Sequence, residues 1–339
     1  MSKLNSILNN LKETPPPKLN DHIMIIDGLN TLIRSFTLVR AMNSQGHHVG
    51  GLVGFLRSLG YLVRTIEPTR VVVVWDGKGG STNRKNINSD YKAHRTGRLT
   101  NFEIFENKDE ESESLSAQLE RLLDYLDCLP VQHLMIDKFE ADDIIAYIAK
   151  GASESSVGKC TIVSSDRDFL QLVDSTVQIF SPIKKKFVNM DNITEAIGVR
   201  PDNYNVVKAL LGDSSDGIKG IRGVGIKTLV KEIPEIVTNK VSLDYIYDLC
   251  EERLETKKMY ANIIHNWDTV KDNFTIMDLH ETTLDILEEE VVKDLLREKV
   301  PKLRPTHFLS MLEDDLISGI TKNTEGWLDN NFRALASVR

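Results

Sequence analysis

The strongest constraint on the fold of this chain is a set of apolar runs that each end in acidic residues. HIMIID ends at Asp27, RVVVVWD ends at Asp76, and CTIVSSDRD contains Asp166 and Asp168. Continuous apolar runs of this length are typical of strands buried on both faces of a parallel sheet. Helical patterns alternate with these runs. The sequence therefore predicts an α/β fold with a mostly parallel, doubly wound central sheet flanked by helices.

Carboxylates follow these strands at the edge where such sheets place their sites. FEADD adds Glu140, Asp142 and Asp143 in the first turn of a helix. A lone aspartate after a strand is usually a turn residue or a helix N-cap. Two unit charges ~4 Å apart repel by roughly 4 kcal/mol at an effective dielectric near 20. A convergent set therefore predicts a neutralising divalent metal.

A basic insertion interrupts the sheet pattern between Asp76 and Leu115. Lys92 and Arg95 are three residues apart, so one helical face would present both cations, either to solvent or to a phosphate held by the metal. Further candidates for contact with nucleic acid precede this pair: Arg84, Lys85 and Tyr91. The acidic run at residues 106–113, ENKDEESE, is expected to be solvent-exposed and mobile.

A glycine-rich segment follows the predicted core. Gly220, Gly223, Gly225 and Lys227 nearly form a P-loop, but Ile226 separates the last glycine from the lysine and no apolar strand precedes the segment. We interpret it as a loop between two helices, whose backbone amides can bind a phosphate of any sequence. Two aspartates at the mouth of this loop bring the number of candidate ligands to nine: Asp213 and Asp216.

Residues 1–20 are predicted to be an appendage with a proline linker at residues 15–17. An apolar stripe at helical spacing precedes the linker: Leu4, Ile7, Leu8 and Leu11. A short helix on such a tether docks either on its own chain or on another protein. The α/β core is expected at 21–190 and a helical region at 191–339.

The formal charge of −8, from 50 acidic and 42 basic residues, at first disfavours a nucleic-acid partner. Setting aside the nine candidate ligands leaves 41 acidic residues, so the remainder of the chain is nearly neutral. Three scattered cysteines, no signal-like N-terminus and no apolar run of about 18 residues predict a cytoplasmic protein without a membrane span.

These motifs resemble those of the metal-dependent 5′ nucleases, the family that includes flap endonucleases and the 5′-nuclease domains of bacterial DNA polymerase I. The resemblance rests on IIDGLN, VVWDG, YKAHR, FEADD, SSDRDF and GDSSDGIKGIRGVGIKT. SPIKKKFV and NFTIMDL are closest to the ribonuclease H of T-even phages. The resemblance implies a PIN-like core, a helical arch at about 77–115, a helix-three-turn-helix at about 205–233 and a helical C-terminal region.

The resemblance also implies site residues. Two Mg²⁺ ions, for which Mn²⁺ can substitute, would bind one group of carboxylates consisting of Asp27, Asp76, Glu140 and Asp142 and a second consisting of Asp166, Asp168, Asp213 and Asp216. Asp143 would lie between them. Lys92 and Arg95 would contact the scissile phosphate at the base of the arch. Gly220, Gly223, Gly225 and Lys227 would hold duplex backbone, in the family together with K⁺.

The implied activity is 5′-3′ exonuclease, flap endonuclease and ribonuclease H cleavage that removes lagging-strand primers. Implied partners of the monomer are 5′ flaps, nicked or gapped duplex and RNA–DNA hybrid, with a sliding clamp or a single-stranded-DNA-binding protein as protein partner. The host cytoplasm is the expected location if a phage encodes the chain. Two alternatives stay open: an inactive protein that binds branched DNA, and a PIN-like ribonuclease acting on RNA alone.

Overall fold

A computed structural model of the protein describes residues 18–93, 99–154, 158–281 and 284–338. The predicted apolar stripe at residues 4–11 and the proline linker lie outside these ranges. Six strands in the described part form one sheet: β1 His22–Asp27, β2 Arg70–Trp75, β3 Gln132–Met135, β4 Lys159–Val163, β5 Val177–Ser181 and β6 Lys186–Val188. Their order is β3-β2-β1-β4-β5-β6, and all neighbours are parallel except β5 and β6. The predicted mostly parallel sheet is confirmed.

Helices cover both faces of this sheet. Those of the core are α1 Gly28–Leu38, α2 Gly50–Ile66, α3 Thr82–Ile87, α4 Lys108–Leu126 and α5 Ala141–Glu154. Those that follow are α6 Ile193–Ile197, α7 Tyr204–Leu211, α8 Ile226–Glu232, α9 Glu235–Thr238, α10 Leu243–Glu252, α11 Lys258–His265, α12 Trp267–Met277, α13 Ile286–Arg297, α14 Pro305–Asp314 and α15 Thr324–Ala336. A two-stranded hairpin, β7 Gly212–Asp213 and β8 Ile218–Lys219, follows α7. Within the described ranges, no helix has the length and apolar character needed to cross a membrane.

Alternate residues of β1 point to opposite faces of the sheet, as a strand's two-residue period requires. Ile23 and Ile25 pack into an apolar cluster that includes α5 to α13. Met24 and Ile26 pack into a second cluster with α1, α2, α4, α14 and α15. Both faces of the central strands are therefore buried, which explains why their sequences are continuously apolar rather than alternating.

The C-terminal helical region is divided between the two faces. The last two helices cross to the face of α2, where Trp327 packs so closely that a Cβ atom at Gly60 would lie 2.5 Å from its Nε1 atom. Residues predicted as one helical region thus complete the covering of both sides of the core. The boundaries predicted near residues 20 and 190 stay predictions.

The acidic run begins a helix and contains one buried carboxylate, Glu111. Residues 108–113 form the first turns of α4, where negative side chains interact favourably with the helix dipole. The Asn107 side chain caps the helix. Glu111 is only 2% exposed and accepts hydrogen bonds from the backbone of Thr100 and Asn101 and from Lys108. Burial raises the pKa of Glu111, but these hydrogen bonds outweigh it and hold the pKa at about 2. The expectation of an exposed run is confirmed at Glu106, Asp109, Glu110 and Glu113 and is wrong at Glu111, and the expected mobility stays a prediction.

Arg70 joins the sheet to the C-terminal helices. Its guanidinium is fully buried at the start of β2 and donates to the carbonyl oxygens of Leu295 and Leu296, at 3.0 Å each, and of Glu298 at 2.7 Å. It also donates to the side-chain oxygen of Gln132. The planar fork of donors thereby satisfies carbonyl groups at the C-terminal end of α13 that the helix itself leaves unpaired.

Replacing Arg70 with lysine should lower the free energy of unfolding by about 3 kcal/mol. The charge is kept, but one ammonium cannot reach the same set of acceptors, which are left buried and unpaired. Urea unfolding measures the loss. Arg64→Lys, at an exposed position of α2, is the control and should change the stability by less than about 0.5 kcal/mol. Equal midpoints for the two variants would contradict this role for Arg70.

Candidate active site

Asp27 occupies the end of β1 and also caps the next helix. Its Oδ1 atom accepts from the backbone N–H of Asn30 at 3.1 Å, and its Oδ2 atom accepts from the Ser164 hydroxyl at 3.1 Å. Burial raises the pKa of Asp27 to about 6 against these hydrogen bonds, and the charges of Asp76 and Asp166 add to the rise. Asp27 is therefore both an N-cap and a crowded carboxylate.

The start of α5 lies beside the end of β2. Asp76 accepts a hydrogen bond from the backbone N–H of Ala141 at 2.7 Å. This contact fixes the first turn of α5 next to the strand ends. Burial raises the pKa of Asp142, in that turn, and the charge of Asp166 raises it further. The structure thus brings residues from three separate predicted motifs together at one edge of the sheet.

Glu140 is the centre of the first charge cluster. It is 4% exposed, and its carboxylate accepts from the Arg84 guanidinium at 2.5 Å, the Tyr91 hydroxyl at 2.9 Å and the Lys92 ammonium at 2.8 Å. Arg84 also donates to both oxygens of Asp143, at 2.8 and 3.1 Å. Burial raises the pKa of Glu140, but the charges of Arg84 and Lys92 outweigh it and hold the pKa below its usual value.

This cluster corrects two predicted contacts with nucleic acid. Arg84 is 9% exposed, and its Nε atom donates to the carbonyl oxygen of Ile276 at 3.0 Å, so all three nitrogens have acceptors inside the protein. Tyr91 is 3% exposed, with its hydroxyl on Glu140. Both side chains neutralise or bind a buried carboxylate instead of facing solvent. Lys85 is exposed, and its role stays a prediction.

Lys92 reaches the site from a turn and not from a helix. Its φ angle is 53°, in the left-handed region, and its backbone N–H donates to the carbonyl oxygen of Asp216 at 2.8 Å. The predicted helical spacing of Lys92 and Arg95 therefore does not hold at Lys92. Arg95 lies outside the described residues.

Lys208 forms the centre of the second charge cluster. It is 6% exposed on α7, and its ammonium donates to Asp168 and, at 2.6 Å, to Asp213. Burial lowers the pKa of Lys208, but the carboxylates of Asp168 and Asp213 outweigh it and raise the pKa. Burial raises the pKa of Asp213, whereas the hydrogen bonds from Lys208 and Ser215 more than offset this and lower it.

Sequence reasoning missed Lys208. A lysine inside the apolar helix YNVVKALL, five residues before Asp213, is a signal that could have identified it, because a buried cation needs an acidic partner. Ser164 was missed as well. Its hydroxyl donates to Asp27 and accepts from the backbone N–H of Asp166 at 3.0 Å, so it ties β1 to the end of β4.

Each predicted carboxylate either contacts one of the cations described above or raises the pKa of a neighbouring group. Among the residues that the structure describes, no group of three or more Asp, Glu, His or Cys side chains is arranged to hold a metal ion. Arg84, Lys92 and Lys208 occupy oxygens of Glu140, Asp143, Asp168 and Asp213. The donor set consists of oxygen atoms alone, which fits Mg²⁺ or Mn²⁺.

The glycine-rich loop runs from β8 to α8. Gly220 cannot carry a side chain, because a Cβ atom there would lie 1.9 Å from the carbonyl oxygen of Leu211. Gly223 has a φ angle of +81° and is exposed, and Gly225 precedes the first residue of α8. Lys227 is exposed beside them. The loop therefore presents backbone and two cations, Arg222 and Lys227, to solvent, and its contact with duplex backbone stays a prediction.

Comparison with known proteins identifies the family. The model of the 5′-3′ exonuclease N-terminal, resolvase-like domain matches residues 22–198, more than half of the chain. The chain belongs to the 5′-3′ exonuclease family. A 5′-3′ exonuclease of Halalkalibacterium halodurans is 32% identical over 237 residues, which cover 67% of this chain and 74% of that protein. The family is one of nucleases, which are hydrolytic enzymes.

DNA polymerase I of Streptococcus pneumoniae is 31% identical over 255 residues, which cover 72% of this chain. The chain spans only 27% of the length of that polymerase. Among solved structures, the flap endonuclease of bacteriophage T5, in complex with DNA and metal ions, has a TM-score of 0.65 and 20% identity. The match covers 86% of this chain and 99% of that one. At this identity the likeness supports the 5′ nuclease fold.

Replacing Asp27 with asparagine should stabilise the metal-free protein at pH 8 by about 1–3 kcal/mol. The pKa of the Asp27 carboxyl is about 6 in the folded state and 3.8 for an unperturbed aspartate, which stands for the unfolded state. The folded state therefore binds the carboxyl proton more tightly. The stabilisation that Asp27 contributes is complete below pH 3.8 and is lost as the pH rises through 6. Asparagine can still cap α1.

Urea unfolding in the presence of a chelator, at pH 4 and pH 8, measures this effect. The difference between variant and wild type should be small at pH 4 and large at pH 8. Asp191→Asn, at an exposed position, should show no such pH dependence. Equal destabilisation of Asp27→Asn at both pH values would contradict the raised pKa of Asp27.

Proposed function

We propose that this chain is a metal-dependent 5′-3′ exonuclease and flap endonuclease. It hydrolyses phosphodiester bonds in DNA and in RNA paired to DNA, and it removes primers during replication. The observation that carries the proposal is the crowding of acidic side chains at the strand ends, each cluster balanced by buried cations, within a chain of the 5′-3′ exonuclease family. Carboxylates gathered in this way are ligands for divalent cations.

Two divalent metal ions are proposed to bind the carboxylates assigned above. The first would use Asp27, Asp76, Glu140 and Asp142, and the second would use Asp166, Asp168, Asp213 and Asp216, with Asp143 between them. When bound, such ions lower the pKa of a bound water and stabilise charge on the attacking and leaving oxygens. The raised pKa of Asp27, about 6, supports the fit. Burial raises this pKa most and the charges of Asp76 and Asp166 add to the rise, and a bound cation would offset both by favouring the charged carboxylate.

Lys92 is proposed to steady the scissile phosphate. Its side chain is 21% exposed, in contrast to that of Glu140 at 6%, so its ammonium lies at the boundary between the buried cluster and solvent. From this position it can exchange Glu140 for a phosphate oxygen and stabilise negative charge as the bond breaks. Arg95 is proposed as its companion. Asp143 is proposed to act by holding Arg84 against Glu140.

The duplex is proposed to contact the loop that contains Gly220, Gly223, Gly225 and Lys227. Exposed backbone in a loop before a helix can bind successive phosphates, with K⁺ as an additional ligand in this loop. Contacts of this kind position the nucleic acid without reading its sequence. Cleavage should therefore depend on structure, namely 5′ flaps, nicked or gapped duplex and RNA–DNA hybrid. The proposed protein partner is a sliding clamp or a single-stranded-DNA-binding protein. The protein is proposed to be a monomer and to act in the cytoplasm.

Cleavage of three end-labelled substrates in Mg²⁺ tests the proposal: a 5′-flap DNA, an RNA–DNA hybrid and a single-stranded RNA. The wild type should cleave the first two, and Asp168→Asn should lose cleavage while retaining binding, because asparagine keeps an acceptor for Lys208 but removes the charge. Fluorescence anisotropy in a chelator measures binding. Cleavage of the single-stranded RNA alone would indicate a ribonuclease of the PIN-like class. Binding of the flap without cleavage by wild type would indicate an inactive binding protein.

Replacing Lys92 with alanine should slow single-turnover cleavage by about 30-fold to 1,000-fold, equivalent to ~2–4 kcal/mol of transition-state stabilisation. The matched control is Lys322→Ala, at an exposed position remote in sequence from the site. Rapid-quench measurements at saturating enzyme separate the chemical step from binding. Unchanged rates for Lys92→Ala would remove this lysine from the mechanism.

A further inference from the structure

Helix α13 carries an apolar face that no described residue covers. Ile286 and Leu287 are 79% and 78% exposed, and Val291, one turn further along, is 50% exposed. These are large aliphatic side chains on one end of a single helix, whereas Val292, on the opposite side, is fully buried in the core. Contiguous apolar side chains left in water favour burial against another surface.

The described chain begins next to this helix. The side chain of Asn20 donates to the carbonyl oxygen of Leu296 at 3.0 Å and accepts from Arg70. Residues 1–17 are therefore joined to the described chain two residues before this contact with the C-terminal end of α13. From Leu296 back to Leu287 is about 13.5 Å along the helix axis, at ~1.5 Å per residue. Residues 12–17, including the prolines, would span up to about 19 Å in an extended polyproline conformation at ~3.1 Å per residue, so the N-terminal segment can reach the apolar face.

The chemistry of the two surfaces is complementary. The N-terminal segment, residues 1–12, has an apolar stripe at helical spacing, two lysines and no acidic residue: Leu4, Ile7, Leu8, Leu11, Lys3 and Lys12. α13 has four acidic and two basic residues, a net charge of −2. Glu290 and Asp294, 48% and 68% exposed, pair with Lys293 and Arg297 of the same helix in exposed ion pairs that the lysines of the segment can compete for. Burial of the stripe and attraction between opposite charges would act together.

We propose that the N-terminal segment docks on the apolar face of α13 of the same chain, with its stripe covering Ile286, Leu287 and Val291. The short tether keeps the segment at a high effective concentration near this face. A protein that binds the segment must first displace it from α13. Such a partner would therefore bind the segment more weakly in the full chain than as a free peptide.

Cysteine cross-linking in the full chain tests the docking. The native cysteines of the described chain, Cys128, Cys160 and Cys250, are buried, so introduced surface cysteines react selectively. We pair Leu8→Cys with Leu287→Cys and, as control, Leu8→Cys with Ile183→Cys, which is 63% exposed between β5 and β6. Mild oxidation should form the first intramolecular link at least about tenfold faster than the control, at a rate independent of protein concentration.

Two further variants separate docking from simple proximity of the tether. Adding Leu4→Ser and Leu11→Ser to the first pair removes much of the stripe and should slow the link about tenfold. Equal rates for the two cysteine pairs, or no effect of the serines, would overturn the proposal. Links that form between molecules and accelerate with concentration would assign the α13 face to a second copy. If neither pair forms a link, the proposal is also overturned, and the segment is then expected to bind another protein.

Discussion

Electrostatic repulsion among the carboxylates at one edge of the sheet is the constraint on which the rest of the site depends. A parallel sheet places the ends of β1, β2 and β4 side by side, and each end carries acidic residues. In the described structure this charge is balanced by cations held inside the protein. Arg84 and Lys92 lie against Glu140, and Lys208 lies between Asp168 and Asp213. The raised pKa of Asp27 marks a carboxylate that no such cation contacts directly.

This balance joins the core to the helical region. Arg84 comes from the insertion after β2, but its Nε atom is held by the carbonyl oxygen of Ile276 at the end of α12. Lys208 comes from α7 and reaches Asp168 beyond β4. The site is therefore not a property of the sheet alone. Helices that cover one face of the core fix the cations that allow the carboxylates to approach one another, so local changes in these helices are expected to affect the site.

The sequence allowed the sheet and the carboxylates to be predicted because both depend on local patterns. Asp27 had to lie at a strand end because the apolar run stops there, and parallel pairing then placed it beside Asp76. The cations could not be predicted in the same way. Arg84 was assigned to nucleic acid because a basic, glycine-rich segment is typical of an exposed loop, and only packing shows it buried. Glu111 was assigned to a mobile run because its neighbours are acidic, yet it is the one that turns inward to bind Thr100 and Asn101.

By itself, the sequence determined the α/β class, the alternation of strands and helices, the acidic residues that end the strands and the glycine-rich loop. These follow from periodicity and from the steric needs of strands, turns and glycine, which act over a few residues. The tertiary structure decided which charges pair, which polar side chains are buried and which helix faces stay open. Pairing between residues such as Arg84 and Glu140 depends on contacts between segments far apart in the chain, and no local pattern contains that information.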